Sequence, residues 1–255
     1  MFARSLRKLC GPLPPNTFVS SSPMPVFFEE TLLSCRPYRE YRDMFALTEA
    51  DLHAGRVLDC AGGGASFCAE ARAMGADVVA VDPRYDMTPE AMREMALEGV
   101  QRGNQFVTEN IRRYSWRYFA DPADHHRTRE GACGLFLAHY SDPASRACYL
   151  PASLPNLPFR DGEFRLVLCG HLLFTYADRF DYDFHLAAAR EMLRVTSHQV
   201  RIFPLLDYES HVCEFVKEIR DALLVDGFHS TVTAVPYEFQ QGGNEMLVLS
   251  HTPIR

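Results

Sequence analysis

The sequence contains no stretch of about 18 apolar residues, the length a helix needs to cross a bilayer, so a membrane partner is not expected. Positive charge is scarce: 26 Lys and Arg stand against 33 Asp and Glu, a net charge of −7. That balance leaves no basic stripe of the kind a phosphate backbone requires, which argues against nucleic acid. None of the eight cysteines forms a C-x-x-C pair, and His125-His126 has no companions at metal-ligand spacing. A metal site and a disulfide framework are therefore not expected. Scattered thiols fit a reduced, cytoplasmic setting, with Cys60 and Cys169 acting as small hydrophobes and His125-His126 as a solvated turn. The charged start (Arg4, Arg7, Lys8) is not followed by the apolar core of a signal peptide. A flexible tail over residues 1–23 and one domain over 24–255 are expected; 255 residues with 47% hydrophobic content suffice for one large core.

What is present is a patterned stretch, Arg56-Val57-Leu58-Asp59-Cys60-Ala61-Gly62-Gly63-Gly64-Ala65-Ser66-Phe67, followed by Val78-Val79-Ala80-Val81-Asp82. It reads as an apolar strand, a glycine turn, a helix, and a second strand ending in a carboxylate. That is half of a nucleotide-binding crevice, with an acid placed where a ribose lies. Phe67 stands where a dinucleotide fingerprint needs a small third residue. Asp59 at the strand tip disfavours a pyrophosphate, because two unit charges about 4 Å apart repel by roughly 4 kcal/mol at an effective dielectric of about 20. A ribose-bearing cation without phosphates removes that penalty, and S-adenosylmethionine is such a molecule.

The stretch resembles the first motif of class I S-adenosylmethionine-dependent methyltransferases, and later segments extend the resemblance over about residues 30 to 250. Leu157-Pro158-Phe159-Arg160-Asp161-Gly162-Glu163-Phe164 looks like that family's entry into its fourth strand. Two loop glycines of the family are Ala61 and Ala65 here, and Ser153 stands where many members carry an adenine-binding Asp. The resemblance implies a doubly wound α/β fold with a seven-stranded, mostly parallel sheet and an antiparallel last strand. It also implies S-adenosylmethionine across the ends of strands one and two. The methionine carboxylate would meet the amides near Gly63 and Gly64, and the ribose would meet Asp82. Adenine would lie near Ser153 and Leu154, with Asp59, Ala61, Gly62, Cys169 and Tyr41 completing the site.

Strands are expected at 56–60, 77–82, 147–152, 164–170, 199–205, 230–237 and 245–251, and helices at 65–74, 184–195 and 209–225. Apolar spacing over 27–47 predicts an N-terminal helical cover, with Tyr38, Tyr41, Met44 and Phe45 either lining the methionine end or packing on the sheet. More than 60 residues separate strands two and three, too many for a plain crossover. A helical insertion at about 84–146 is expected, rich in aromatics and leaving from the ligand-binding edge as a lid.

The chemistry should sit after the fourth strand. His171 is a candidate base or positioning group, and Tyr176 could lay its ring against a sulfonium. Asp178, Asp181 and Asp183 would suit an amine substrate or the start of the next helix. Glu238, Gln240 and Asn244 are candidates for substrate contact or for a plain hairpin turn. Methyl transfer to a small-molecule acceptor is the leading expectation. Intramolecular cyclisation of S-adenosylmethionine to azetidine-2-carboxylate, releasing methylthioadenosine, is the alternative, and a non-catalytic binding protein or dinucleotide redox enzyme a third.

Overall fold

The computed structural model describes residues 31–253; the expected tail and the first residues of the expected helical cover lie outside them. Seven strands form one sheet in the order β3-β2-β1-β4-β5-β7-β6. They are β1 (Val57–Cys60), β2 (Val78–Val81), β3 (Tyr149–Leu150), β4 (Phe164–Gly170), β5 (Thr196–Phe203), β6 (His229–Ala234) and β7 (Glu245–Ser250). The first five pair in parallel, and β7 runs antiparallel between β5 and β6. This is the doubly wound architecture the sequence implies. The order reverses between β1 and β4, where open α/β sheets bind their ligands.

Both faces of the central strands are covered, so these strands read as continuous apolar runs. Val57, Val78, Ala80 and Leu168 belong to one buried cluster, and Leu58, Val79, Val81 and Val167 to the other. The first cluster is closed by α1 (Tyr38–Met44), α3 (Phe67–Ala73), α4 (Pro89–Glu109) and α5 (Pro122–Ser141). The second is closed by α6 (Tyr182–Val195) and α7 (Phe215–Val225). The short α2 (Glu49–His53) begins with a capping box between Thr48 and Asp51. Thr88 caps α4 ahead of Pro89, as its sequence predicts.

Several boundaries differ from expectation for local reasons. β3 has two residues, because Arg146–Cys148 is wound into a 3₁₀ turn and Pro151 offers no amide to extend the ladder. Residues 207–213 are a loop instead of the start of α7: Asp207 Oδ1 accepts the amides of Glu209 and His211, an alternative to helical pairing. His125 is not in a solvated turn. It lies within α5, is 3% exposed, and stacks on Phe239 at 4.7 Å. Asp181 caps α6 through the Phe184 amide. Gln240 donates to the Asp207 carbonyl and to Ser210 Oγ, and Glu238 accepts the Gly242 amide, so both brace turns.

The insertion is two packed helices plus a connection that crosses the carboxyl end of the sheet. In that connection Ser115 donates its amide to the Phe239 carbonyl, Tyr114 stacks on Phe239 at 4.4 Å, and Tyr118 donates to Asp43 of α1. The insertion also seats the extended segment 31–37. Gly99 and Gly103, one turn apart on α4, let Leu33 and Leu32 approach, and a Cβ at Gly99 would overlap the Leu33 carbonyl. We expect Gly99→Ala to destabilise the protein by about 1–3 kcal/mol through overpacking despite alanine's better helix propensity. Gly131→Ala on α5, where a Cβ meets open space, should stabilise it by up to about 1 kcal/mol. Thermal unfolding of the two variants checks the contrast.

Candidate functional site

The tip of β1 turns sharply because three positions cooperate. Ala61 takes a left-handed backbone (φ 65), Gly63 does the same (φ 54), and Gly62 lies too close to its neighbours for any side chain. A Cβ on Gly62 would stand 2.7 Å from the Tyr85 hydroxyl and 3.0 Å from Asp59 Oδ2. The Gly62 amide donates to Val81, tying the loop to β2, and Tyr85 donates to the Gly63 carbonyl at 2.8 Å.

This turn forms one wall of a narrow cleft at the carboxyl ends of β1, β2 and β4, whose free volume of about 30 Å³ is roughly that of one water. The sequence-predicted residues Tyr41, Ala61, Gly62, Gly63, Asp82, His171 and Tyr176 all line it. Four others do not. Asp59 is 1% exposed and stands behind Tyr41, which donates to its two oxygens at 3.1 and 3.3 Å. Gly64 packs under Leu33 and Cys35. Cys169 is a fully buried core residue of β4, its thiol pushed up to about 12 by burial. Ser153 and Leu154 sit beyond β3, where Ser153 bridges Asn156 and Leu154 packs into the second core cluster.

Asp82 accepts the Arg84 amide at 3.0 Å and its guanidinium in a two-pronged pair, at 2.8 Å on Oδ1 and 3.0 Å on Oδ2. Arg84 also donates to the Thr31 carbonyl, so this ion pair anchors the segment 31–37. Oδ1 thus receives two donors and Oδ2 one. A carboxylate has about four acceptor positions, which leaves one open on Oδ2, the oxygen nearer Gly63. Asp59 differs: burial pushes its carboxyl up to about 7, with the Asp82 charge adding to the shift against the Tyr41 hydrogen bond. The strand tip is therefore only partly ionised at neutral pH, weaker as an anion than its position suggests.

His171 follows β4 in a left-handed conformation (φ 51), its amide held by the Phe203 carbonyl at 2.7 Å. Its Nδ1 is buried without a hydrogen-bond partner. Burial first, then the charges of Arg36 and Arg129, hold the imidazole neutral, well below the usual histidine range. Tyr176 is committed elsewhere: its hydroxyl accepts the Leu32 amide at 3.2 Å, and the Arg179 guanidinium lies 5.2 Å from its ring centre. It positions the segment 31–37; its expected sulfonium-facing role competes with Arg179.

Arg36, Thr31, Leu32, Ser34 and Arg84 also line the cleft and were not expected there. Arg84 was findable, since Asp-Pro-Arg places a guanidinium two residues after the acid. Arg36 had no signal beyond preceding Pro37. Of the expected methionine-end residues only Tyr41 reaches the cleft; it stacks on Phe67 at 4.4 Å, while Met44 and Phe45 are wholly buried. Among the described residues no helix is long and apolar enough to cross a membrane.

No family model matches the chain. A curated protein of Methanocaldococcus jannaschii, described as "Uncharacterized protein MJ0045", is 30% identical over 226 residues, covering 87% of this chain and 96% of that protein. Among solved structures, the PH0226 protein from Pyrococcus horikoshii OT3 is 13% identical with a TM-score of 0.44, covering 84% of this chain and 90% of that one. A SAM-dependent methyltransferase from Aquifex aeolicus is 16% identical at a TM-score of 0.41, over 83% and 92%. The magnesium protoporphyrin IX methyltransferase of Synechocystis PCC 6803, crystallised with bound SAM, is 15% identical at 0.41, over 77% and 69%.

The raised Asp59 carboxyl has a pH signature. Unfolded, it ionises near about 4; folded, at about 7. The native state therefore holds a proton that the unfolded chain has lost, and stability is lost as pH rises through that window and levels above it. Asp59→Asn should gain in melting temperature relative to wild type between pH 5 and 7. A difference independent of pH would mean that Asp59 is already ionised in the fold.

Proposed function

The chain belongs to one family with the M. jannaschii protein MJ0045, and we propose that it is an S-adenosylmethionine-dependent enzyme that transfers the methyl group to a small-molecule acceptor. The observation carrying this reading is the convergence, in one cleft at the sheet's switch point, of the β1 turn, an Asp82 oxygen with an acceptor position open, and a neutral His171. The residues suit the group. Ala61–Gly63 expose backbone to a ligand, and Asp82 keeps one acceptor position for a ribose hydroxyl. Arg84 fixes the plane of that carboxylate before any ligand arrives, which preorganises it.

S-adenosylmethionine supplies an electrophilic methyl carbon on a sulfonium; the protein's part is alignment, exclusion of water and, for a weakly acidic acceptor, removal of a proton. The segment 31–37 and the 114–119 connection provide the cover. His171 is the group placed to orient the acceptor: its Nδ1 is buried without a competing partner, and burial beside two guanidinium groups favours its accepting a hydrogen bond over its keeping a proton. Leu33 and Cys35 lie on the glycine turn, so entry of the nucleoside requires this segment to lift from Gly63 and Gly64. Release of the Leu32 amide from Tyr176 and of the Thr31 carbonyl from Arg84 would permit it.

Asp82→Asn should weaken S-adenosylmethionine binding by about 1.5–3 kcal/mol in calorimetry on protein shown by melting to be folded; unchanged affinity removes Asp82 from the site. Mass spectrometry of the nucleoside product decides the reaction. S-adenosylhomocysteine formed with an added acceptor supports methyl transfer. Methylthioadenosine from S-adenosylmethionine alone replaces it with cyclisation.

A further inference from the structure

We infer that Arg36, and not the amides at the start of α3, receives the carboxylate of the methionine portion of the ligand; this rests on the S-adenosylmethionine reading above. The start of α3 is poorly suited to the task. The helix has seven residues, and the two amides just ahead of it are used: Ala65 donates to the Gly62 carbonyl at 3.1 Å and Ser66 to the Arg36 carbonyl at 3.0 Å. Leu33 and the Ser34 carbonyl cover the Gly63 side of the turn. An incoming anion meets the Ser34 carbonyl there, an acceptor in its path.

Arg36 offers the opposite. Its backbone carbonyl meets the Ser66 amide, so the residue is fixed beside the glycine turn, and its side chain lines the same cleft as Tyr41, Gly170 and His171. That side chain is 16% exposed; its Nη1 donates to Ser34 Oγ, while Nε has no hydrogen-bond partner. Glu40 is the nearby acid, but Nε stands 3.9 Å from it, beyond hydrogen-bond reach. The Glu40 oxygen facing Nε is taken by others: Arg129 binds both carboxylate oxygens, and Tyr237 adds a second donor to Oε2 at 2.8 Å. One carboxylate thus faces two guanidinium groups, and the cluster keeps one excess positive charge. Asp82 and Arg84 cancel each other, and Asp59 is screened behind Tyr41. Among the described lining residues, Arg36 is the charged group left without a full partner. A buried guanidinium with an open donor is a receptor for a carboxylate, and a charge-assisted bond of that kind is among the stronger ones available. Its place at the β4 end of the cleft, away from Asp82, is where the amino-acid end of a ribose-anchored nucleoside reaches.

Isothermal titration of S-adenosylmethionine, S-adenosylhomocysteine and decarboxylated S-adenosylmethionine tests the assignment on wild type, Arg36→Gln and Arg36→Lys. Wild type should bind both carboxylate-bearing ligands about ten- to hundredfold more tightly than the decarboxylated one. Arg36→Gln should lose that advantage while keeping wild-type affinity for the decarboxylated ligand, and Arg36→Lys should recover part of it. The wild-type comparison stands even if Arg36→Gln does not fold. The inference is overturned if wild type does not discriminate against the decarboxylated ligand, if Arg36→Gln binds S-adenosylmethionine as tightly as wild type, or if it weakens all three ligands equally. Wild type that binds none of them overturns the parent reading instead.

Discussion

The carboxylate of Glu40 is the interaction on which the cleft depends. It is wholly buried on α1 and bound by Arg129 from α5 and Tyr237 from the β6–β7 connection. Three segments far apart in sequence are thereby fixed to one point. A buried carboxylate stripped of either partner would be strongly destabilising, because its desolvation would go uncompensated. With both in place, α1 is held where Tyr41 can stack on Phe67 and cover Asp59.

From that anchor the other features follow. Tyr41 screens the acid at the β1 tip, leaving Asp82 as the carboxylate that opens on the cleft. Arg84 neutralises Asp82 and at the same time holds Thr31, so the acid expected to face a ribose also fastens the chain segment covering the site. The contacts that close the cleft are thus the contacts that orient its polar groups, which on the proposed reading would give the ligand a defined entry step.

The architecture was legible in the sequence because each signal was local. The apolar run Val78–Val81 marked β2, Val57-Leu58 ahead of Asp59 and the glycines marked β1, Thr88-Pro89 marked the start of α4, and the long interval before β3 marked the insertion. The glycine turn and Asp82 were legible for the same reason. Misplaced residues depended on long-range contacts. Cys169 looked like a strand-end site residue, but its neighbours across the sheet put it in the core. Ser153 is the exception: its place came by analogy, and it sits in a local turn paired with Asn156 and outside the cleft lining. The electrostatic argument from Asp59 assumed a free anion. Burial and Tyr41, eighteen positions upstream, are what modify it. Arg36 shows no periodicity and belongs to no motif; its importance arises only where α1, α5 and the terminal hairpin meet.

The two rims of the sheet are unlike. One ends in β3, two residues long and cut off by Pro151; the other ends in β6, six residues whose outer side has no strand partner among the described residues. A proline-blunted rim offers no ladder to a neighbouring strand, whereas an open one does. Lateral backbone pairing between copies can therefore use only the β6 rim, and once two such rims have met, none is left for a third molecule. The sheet carries its own chain terminator against open-ended growth.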